Sequence, residues 1–238
     1  MRNAVIAALL LVTAVTGCEG EGPVRFRHTN YMAFVPEPGK TVTIQLTSVP
    51  IGKYTDPLKY RILNSESDVE LSGTVGVGGK QEVTFSPKQS GLHVLELDAG
   101  WNSVACDVSI PHAIVCHSGV ILKTVRALDK LYFYVPTGTK QFTLHLQASV
   151  RGEGLAYRVL DPTGREASSG QGDYDRVEKV KITVPPGTDS KAWSLSILRP
   201  EQKGIGLDDT EIYLGKELAP YLAPKPDWAV TFGKRKHP

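Results

Sequence analysis

Thr41-Val42-Thr43-Ile44-Gln45-Leu46 and, one hundred positions on, Gln141-Phe142-Thr143-Leu144-His145-Leu146 decide the fold. Each alternates apolar and polar residues, the period of two that gives a strand one buried and one solvated face. Their β-branched and aromatic residues suit such a pleated, half-buried surface. Both follow turn-forming segments, Phe34-Val35-Pro36-Glu37-Pro38-Gly39-Lys40 and Tyr134-Val135-Pro136-Thr137-Gly138-Thr139-Lys140. Proline there fixes φ, and glycine admits the positive φ that tight turns use.

The recurrence extends outward. Tyr60-Arg61-Ile62-Leu63 returns as Tyr157-Arg158-Val159-Leu160, and Ser72-Gly73 as Ser169-Gly170. Segment 82–87 (EVTFSP) matches 181–186 (KITVPP), and 92–97 (LHVLEL) matches 193–198 (WSLSIL). The order is kept and the offset stays between 97 and 101 positions, which predicts two copies of one domain. Asp161-Pro162-Thr163-Gly164 has the proline and glycine placement of a type I turn. Gly76-Val77-Gly78-Gly79-Lys80 reads as a hairpin turn; no Ser or Thr follows the lysine and no helix starts there, so it is not a phosphate loop. No long apolar run has helical spacing. Short strands punctuated by Gly and Pro therefore predict an all-β chain of two tandem antiparallel β-sandwich, jelly-roll-like domains. Their expected limits are 22–111 and 112–215, meeting near Pro111. Residues 216–238, a Pro-rich basic C-terminal tail, are expected as a strap or a loose end.

The chain opens differently. Arg2 precedes thirteen nearly all-apolar residues, Ala4 to Thr16. That run is well short of the ~20 needed to span a bilayer, and it fits a cleaved export signal. Val15-Thr16-Gly17-Cys18 resembles the lipobox of bacterial lipoproteins. The small residues let a peptidase reach the bond, and the Cys18 thiol carries the lipid. The resemblance implies a signal peptide at 1–17 and a lipidated linker at 18–21. It also implies lipidation, palmitate included, at Cys18 and attachment to a membrane, periplasmic or outer, because two or three acyl chains anchor firmly. Glu19, rather than Asp, leans toward the outer membrane. An ordinary secretory signal is the alternative reading.

Composition agrees with an exported globular protein. The 238 residues suffice for one large or two small domains. A net charge of +2 with scattered basic residues gives no basis for nucleic-acid binding. Of three cysteines, Cys18 would carry lipid, which leaves Cys106 and Cys116 as thiols; an oxidising periplasm would let them pair, and two buried free thiols fit equally well.

The segments YFYVPTGTK, YRVLDPTG, ITVPPGTDSKAWSLSIL and DDTEIYL together resemble the sandwich repeats related to bacterial pre-peptidase C-terminal (PPC-like) domains. The resemblance is best over 119–215 and looser over 22–111, where the Asp-Pro-x-Gly turn and the Lys-x-Trp step are missing. It implies a non-catalytic module for positioning, matrix contact or polysaccharide contact. No family active-site residue maps onto this chain.

A direct search for chemistry finds little. His112 and His117 flank Cys116, yet no further ligands complete a zinc site at a usual spacing. His93 and His145 are expected as solvent-facing strand residues. Cys116 beside His117 makes a poor dyad, since consecutive strand residues face opposite ways. No Gly-x-Ser-x-Gly elbow is present. Asp173 and Asp175, with Asp208 and Asp209, could hold a structural calcium ion, although solvated loops explain them as well. No other cofactor is expected.

Exposed aromatics are the remaining signal, because sandwich modules can stack a sugar on them. Trp193 alternates with Leu195 and Ile197 and should point inward. Trp101, Tyr174 and Trp228, with Tyr54, are the candidate ligand platform; plugs over the sandwich ends would use the same residues. The expected function is a non-catalytic, membrane-anchored envelope lipoprotein that binds or organises polysaccharide or protein. The alternatives are a structural subunit of an envelope complex and, third, a secreted hydrolase.

Overall fold

The computed structural model describes residues 23–235. Residues 1–22, with the signal segment, Cys18 and its linker, lie outside the described residues, as do 236–238. The first half comprises β1 (Arg25–Phe34), β2 (Val42–Val49), β3 (Leu58–Leu63), β4 (Val69–Val75), β5 (Lys80–Phe85) and β6 (His93–Val108). The alternation read from the sequence is realised: β2 buries Val42, Ile44, Leu46 and Ser48 while its other residues face outward. Each such buried aliphatic side chain stabilises by about 1.5–3 kcal/mol.

β6 changes partners midway. Its first part pairs with β3, Leu97 opposite Tyr60, and its second with β2, Cys106 opposite Leu46. β1 pairs with both parts, from His93 to Asp98 and from Ser103 to Ala105, with a register break between Arg27 and Thr29. At the break, His28 has φ 57° and Gly100 has φ 56°. The two strands thus turn a corner together and pass from one layer to the other, as sandwich strands do at a bulge or bend. Buried Asn30 secures the bend, donating to the Arg27 and Lys123 carbonyls and accepting the Lys123 N–H. It thereby satisfies backbone groups that the broken ladder leaves open.

The second half comprises β7 (His112–Val115), β8 (Leu122–Val125), β9 (Leu128–Val135), β10 (Gln141–Ala148), β11 (Leu155–Leu160), β12 (Glu166–Gly172), β13 (Glu178–Thr183), β14 (Lys191–Leu198) and β15 (Asp209–Leu214). Its pairings follow those of the first half. β10 takes β13 as β2 takes β5; β11 takes β12 and β14 as β3 takes β4 and β6. Tyr157 lies opposite Gly170 and Ile197, as Tyr60 lies opposite Gly73 and Leu97. β8 and β9 occupy the places of the two parts of β1, separated at Arg126 with φ 71°. β14 and β15 likewise replace the two parts of β6, with residues 199–208 between them.

All these strands pair antiparallel. One sheet runs β13-β10-β15-β8-β1-β6-β2-β5 with β3, β4 and β7 branching from it; β12-β11-β14-β9 form a second sheet. The first sheet continues past Pro111, because β1 pairs with both β7 and β8. One apolar cluster, including Phe26, Phe34, Ile44, Leu97, Phe133, Phe142 and Trp193, fills the space between the layers of both halves. Trp193 is fully buried as expected, and its indole N–H donates to the Thr188 carbonyl.

Residues 216–235 are an ordered strap, not a loose tail. β16 (Tyr221–Leu222) pairs with β7, and Ala223 bridges to Tyr132 of β9. The helix α1 (Pro226–Gly233) then packs Ala229 and Phe232 against Ala33, Ala113, Tyr221 and Ala223. Pro226 starts the helix where its missing N–H is harmless, and the facing alanines leave room for the Phe232 ring.

The structure decides one open alternative and corrects one expectation. Cys106 and Cys116 are free buried thiols, with no disulfide between them. The Cys116 thiol donates to the Ile212 carbonyl, and burial pushes its pKa up to about 12. His93 is completely buried, not solvent-facing, because it shares the inward parity of Leu95 and Leu97. Its Nδ1–H donates to the Gly91 carbonyl, and Nε2 lies 3.3 Å from Glu70 Oε2.

Candidate functional site

The corner where β1 and β6 bend carries the most exposed aromatic residues of the candidate platform. Trp101 is 53% exposed and Tyr54 44% exposed. Their rings stack with centroids 5.7 Å apart and planes 25° apart, and the His28 ring meets Trp101 edge-on at 4.8 Å. An exposed stacked pair of this kind presents apolar area at small side-chain entropy cost.

The pair is held by Asn102, which is fully buried. Its Oδ1 accepts the Ile51 N–H at 2.9 Å, and its Nδ2 donates to the Tyr54 and Asp56 carbonyls at 3.2 and 2.9 Å. One side chain from β6 thereby fixes the 51–56 loop that carries Tyr54. Asp56 answers with a carboxylate that accepts the Trp101 N–H. Gly100 is required between them: a Cβ there would meet Asp56 Cβ at 2.6 Å, in a backbone region L side chains rarely adopt.

Beneath the rings lies Arg27. Its guanidinium carbon is 5.9 Å from the Tyr54 centroid and 5.6 Å from that of Trp101, within cation–π range. Arg27 Nη1 donates to both carboxylate oxygens of Asp209, at the start of β15. The Asp209 N–H in turn donates to Glu153 Oε2 at 3.1 Å. Burial raises the Glu153 pKa, while burial and the nearby Arg27 and Lys123 charges lower that of His28. The platform of the first half is therefore coupled through a buried ion pair to a strand of the second.

Other candidates are placed elsewhere. Tyr174, half-buried with φ 44°, packs against the core near Tyr157. Trp228 on α1 is half-buried, with the His112 ring at 4.9 Å and Lys225 Nζ at 4.6 Å from its ring centroid. Neither joins the Trp101–Tyr54 stack. Asp173, Asp175 and Asp208 are exposed, and Asp209 is taken by Arg27. Among the described residues no group of three or more His, Cys, Asp or Glu side chains could hold a metal ion. Five participants were missed in the sequence: Asn102, Arg27, Asp56, His28 and Glu153. Asn102 directly follows Trp101, and that adjacency is the only signal it offered.

No family model matches the chain, and neither does any curated protein. Among solved structures, the chain is similar to the M60 catalytic domain with the CBM51-1 and CBM51-2 domains from Clostridium perfringens ZmpB, at TM-score 0.27 and 7% identity. That alignment covers 83% of this chain and 36% of the other, so the chain spans about a third of its length.

Proposed function

We propose that this chain is a non-catalytic, lipid-anchored envelope protein that binds polysaccharide through the Trp101–Tyr54 platform. The observation that carries the reading is an exposed aromatic stack fixed from below by a buried asparagine. A sugar ring lays its apolar C–H face on such a stack, and Asp56 and His28, both against Trp101, lie at the same corner to meet its hydroxyls. The PPC-like sequence motifs support the same class of ligand, and the lipobox residues Val15 to Cys18 support the anchor. The matching sequence blocks and strand pairings support an origin of the two halves by duplication of one sandwich.

Two measurements test this. A glycan array probed with the exported protein is expected to show retention on at least one envelope polysaccharide. No retention on any glycan, with a stable protein partner in pulldown, would replace this reading with that of a structural subunit. For the anchor, Cys18→Ala should release the protein from the membrane fraction after normal export; continued membrane partitioning contradicts lipidation.

A further inference from the structure

The two halves differ at one matched position in a way that opens a second site. On the outer face of the first half, Arg61 of β3 lies opposite Ser72 on one side and Glu96 on the other. Its guanidinium clamps the Glu96 carboxylate with bonds of 2.7, 2.8 and 3.0 Å. In the second half the matched Arg158 of β11 lies opposite Ser169 and Ser196. The carboxylate is gone. Among the described residues the Arg158 side chain has no hydrogen bond, ion pair or ring contact, and neither does that of Arg199 just beyond the end of β14.

Both arginines line a groove of about 320 Å³ over β11, β12 and the end of β14. Its other polar walls are Ser169, Gln171, Glu166 and Glu201. Glu166 accepts the Ser169 hydroxyl, and Gln171 Oε1 accepts the Glu201 N–H, which orients two of these walls. The groove thus offers unengaged planar forks, suited to bidentate carboxylate binding, beside carboxylates that can accept hydroxyl protons. A ligand satisfying both carries a carboxylate and vicinal hydroxyls.

We propose that this groove binds a uronate residue of an acidic saccharide, with Arg158 and Arg199 taking its carboxylate and Glu166 and Glu201 its hydroxyls. This deepens the saccharide-binding reading and rests on it for ligand class, but uses residues apart from the Trp101 platform. The test is calorimetric titration of the exported protein with a di-uronate, its carboxyl-reduced analogue and a short polyglutamate peptide. It is repeated with Arg158→Gln/Arg199→Gln and with Trp101→Ala. Both arginines are exposed, so the double variant should melt like the wild type. The expected result is at least tenfold weaker di-uronate binding for the double variant and for the reduced analogue, with affinity kept by Trp101→Ala. Equal affinity for the reduced analogue, or unchanged affinity in the double variant, overturns the groove. Tighter binding of polyglutamate overturns the ligand class. Loss of neutral-glycan binding in Trp101→Ala alone bears on the platform and leaves this site standing.

Discussion

Arg27 and Asp209, 182 positions apart, form an ion pair whose side chains are only 7% and 13% exposed. It joins the bend of β1 to the first residue of β15, and Trp101 and Tyr54 cover it from solvent. Such a pair adds little net stability by itself, because desolvating two charges offsets most of their attraction. Removing one partner is another matter, because it leaves an uncompensated charge beneath the aromatic stack.

The first prediction follows from that asymmetry. Asp209→Asn should lower unfolding stability by about 3–5 kcal/mol, since it strands a buried guanidinium. The double replacement Arg27→Met/Asp209→Leu should recover most of the loss. Guanidinium melts of the three proteins decide it; equal losses in single and double variants would show that the pair is not shut off from water.

Asn102→Ala should destabilise by about 2–4 kcal/mol, because three hydrogen bonds go and their part-buried backbone groups are left without a partner. Hydrogen exchange should accelerate selectively at Ile51, whose N–H bonds directly to Asn102. Saccharide affinity should fall with it. Unchanged exchange in the loop would mean the tie is dispensable.

The pH dependence has a definite sign. Burial lowers the pKa of His112 below its ordinary 6.5, and its bond to the Ile110 carbonyl opposes only part of that. The unfolded chain therefore takes up this proton first as pH falls. Stability is fully present above pH 6.5 and declines as pH drops through the folded-state value. His28 and His145, also lowered by burial, act in the same direction. His112→Asn keeps a donor near Nδ1 and should flatten the acid limb of a stability–pH curve. An acid limb as steep as that of the wild type removes His112 from the account.

Phe232 is 1% exposed, so Phe232→Ala should cost about 3–5 kcal/mol if the strap unfolds together with the sandwich. Trp228 emission should shift to the red in the same variant. A small loss with that shift would instead mean that α1 detaches on its own.

The buried free thiols predict that reductant leaves the melting temperature unchanged. Cys106 and Cys116 should react with a thiol reagent only as the protein unfolds. A mass two hydrogens short for the pair, restored by reduction, would establish a disulfide instead.

Much of the architecture was legible in local pattern. The alternation in β2 and β10, the inward Trp193 and the Asp161-Pro162-Thr163-Gly164 turn were all readable. In that turn the Asp161 carboxylate accepts the Thr163 and Arg165 N–H groups. What local pattern concealed was relational. The bend of β6 looks like continuous alternation until Gly100 and His28 are seen at positive φ. The α1 helix is only eight residues long and follows a proline-rich stretch, so its Ala229 and Phe232 give too short a period to register. Trp101 and Tyr54 were each visible as aromatics near turns, but their stacking depends on Asn102 of β6 tying down the 51–56 loop, 48 positions away at Tyr54. The Arg27–Asp209 pair has no local signature at all.

Binding of a neutral envelope oligosaccharide, measured by affinity electrophoresis for wild type, Trp101→Ala and Tyr54→Ala, tests the central claim most directly. The account predicts retardation of the wild type on at least one glycan. It also predicts at least tenfold weaker retardation in both variants, with cooperative melts retained. Equal retardation of all three proteins, or none for the wild type on any glycan, would contradict it.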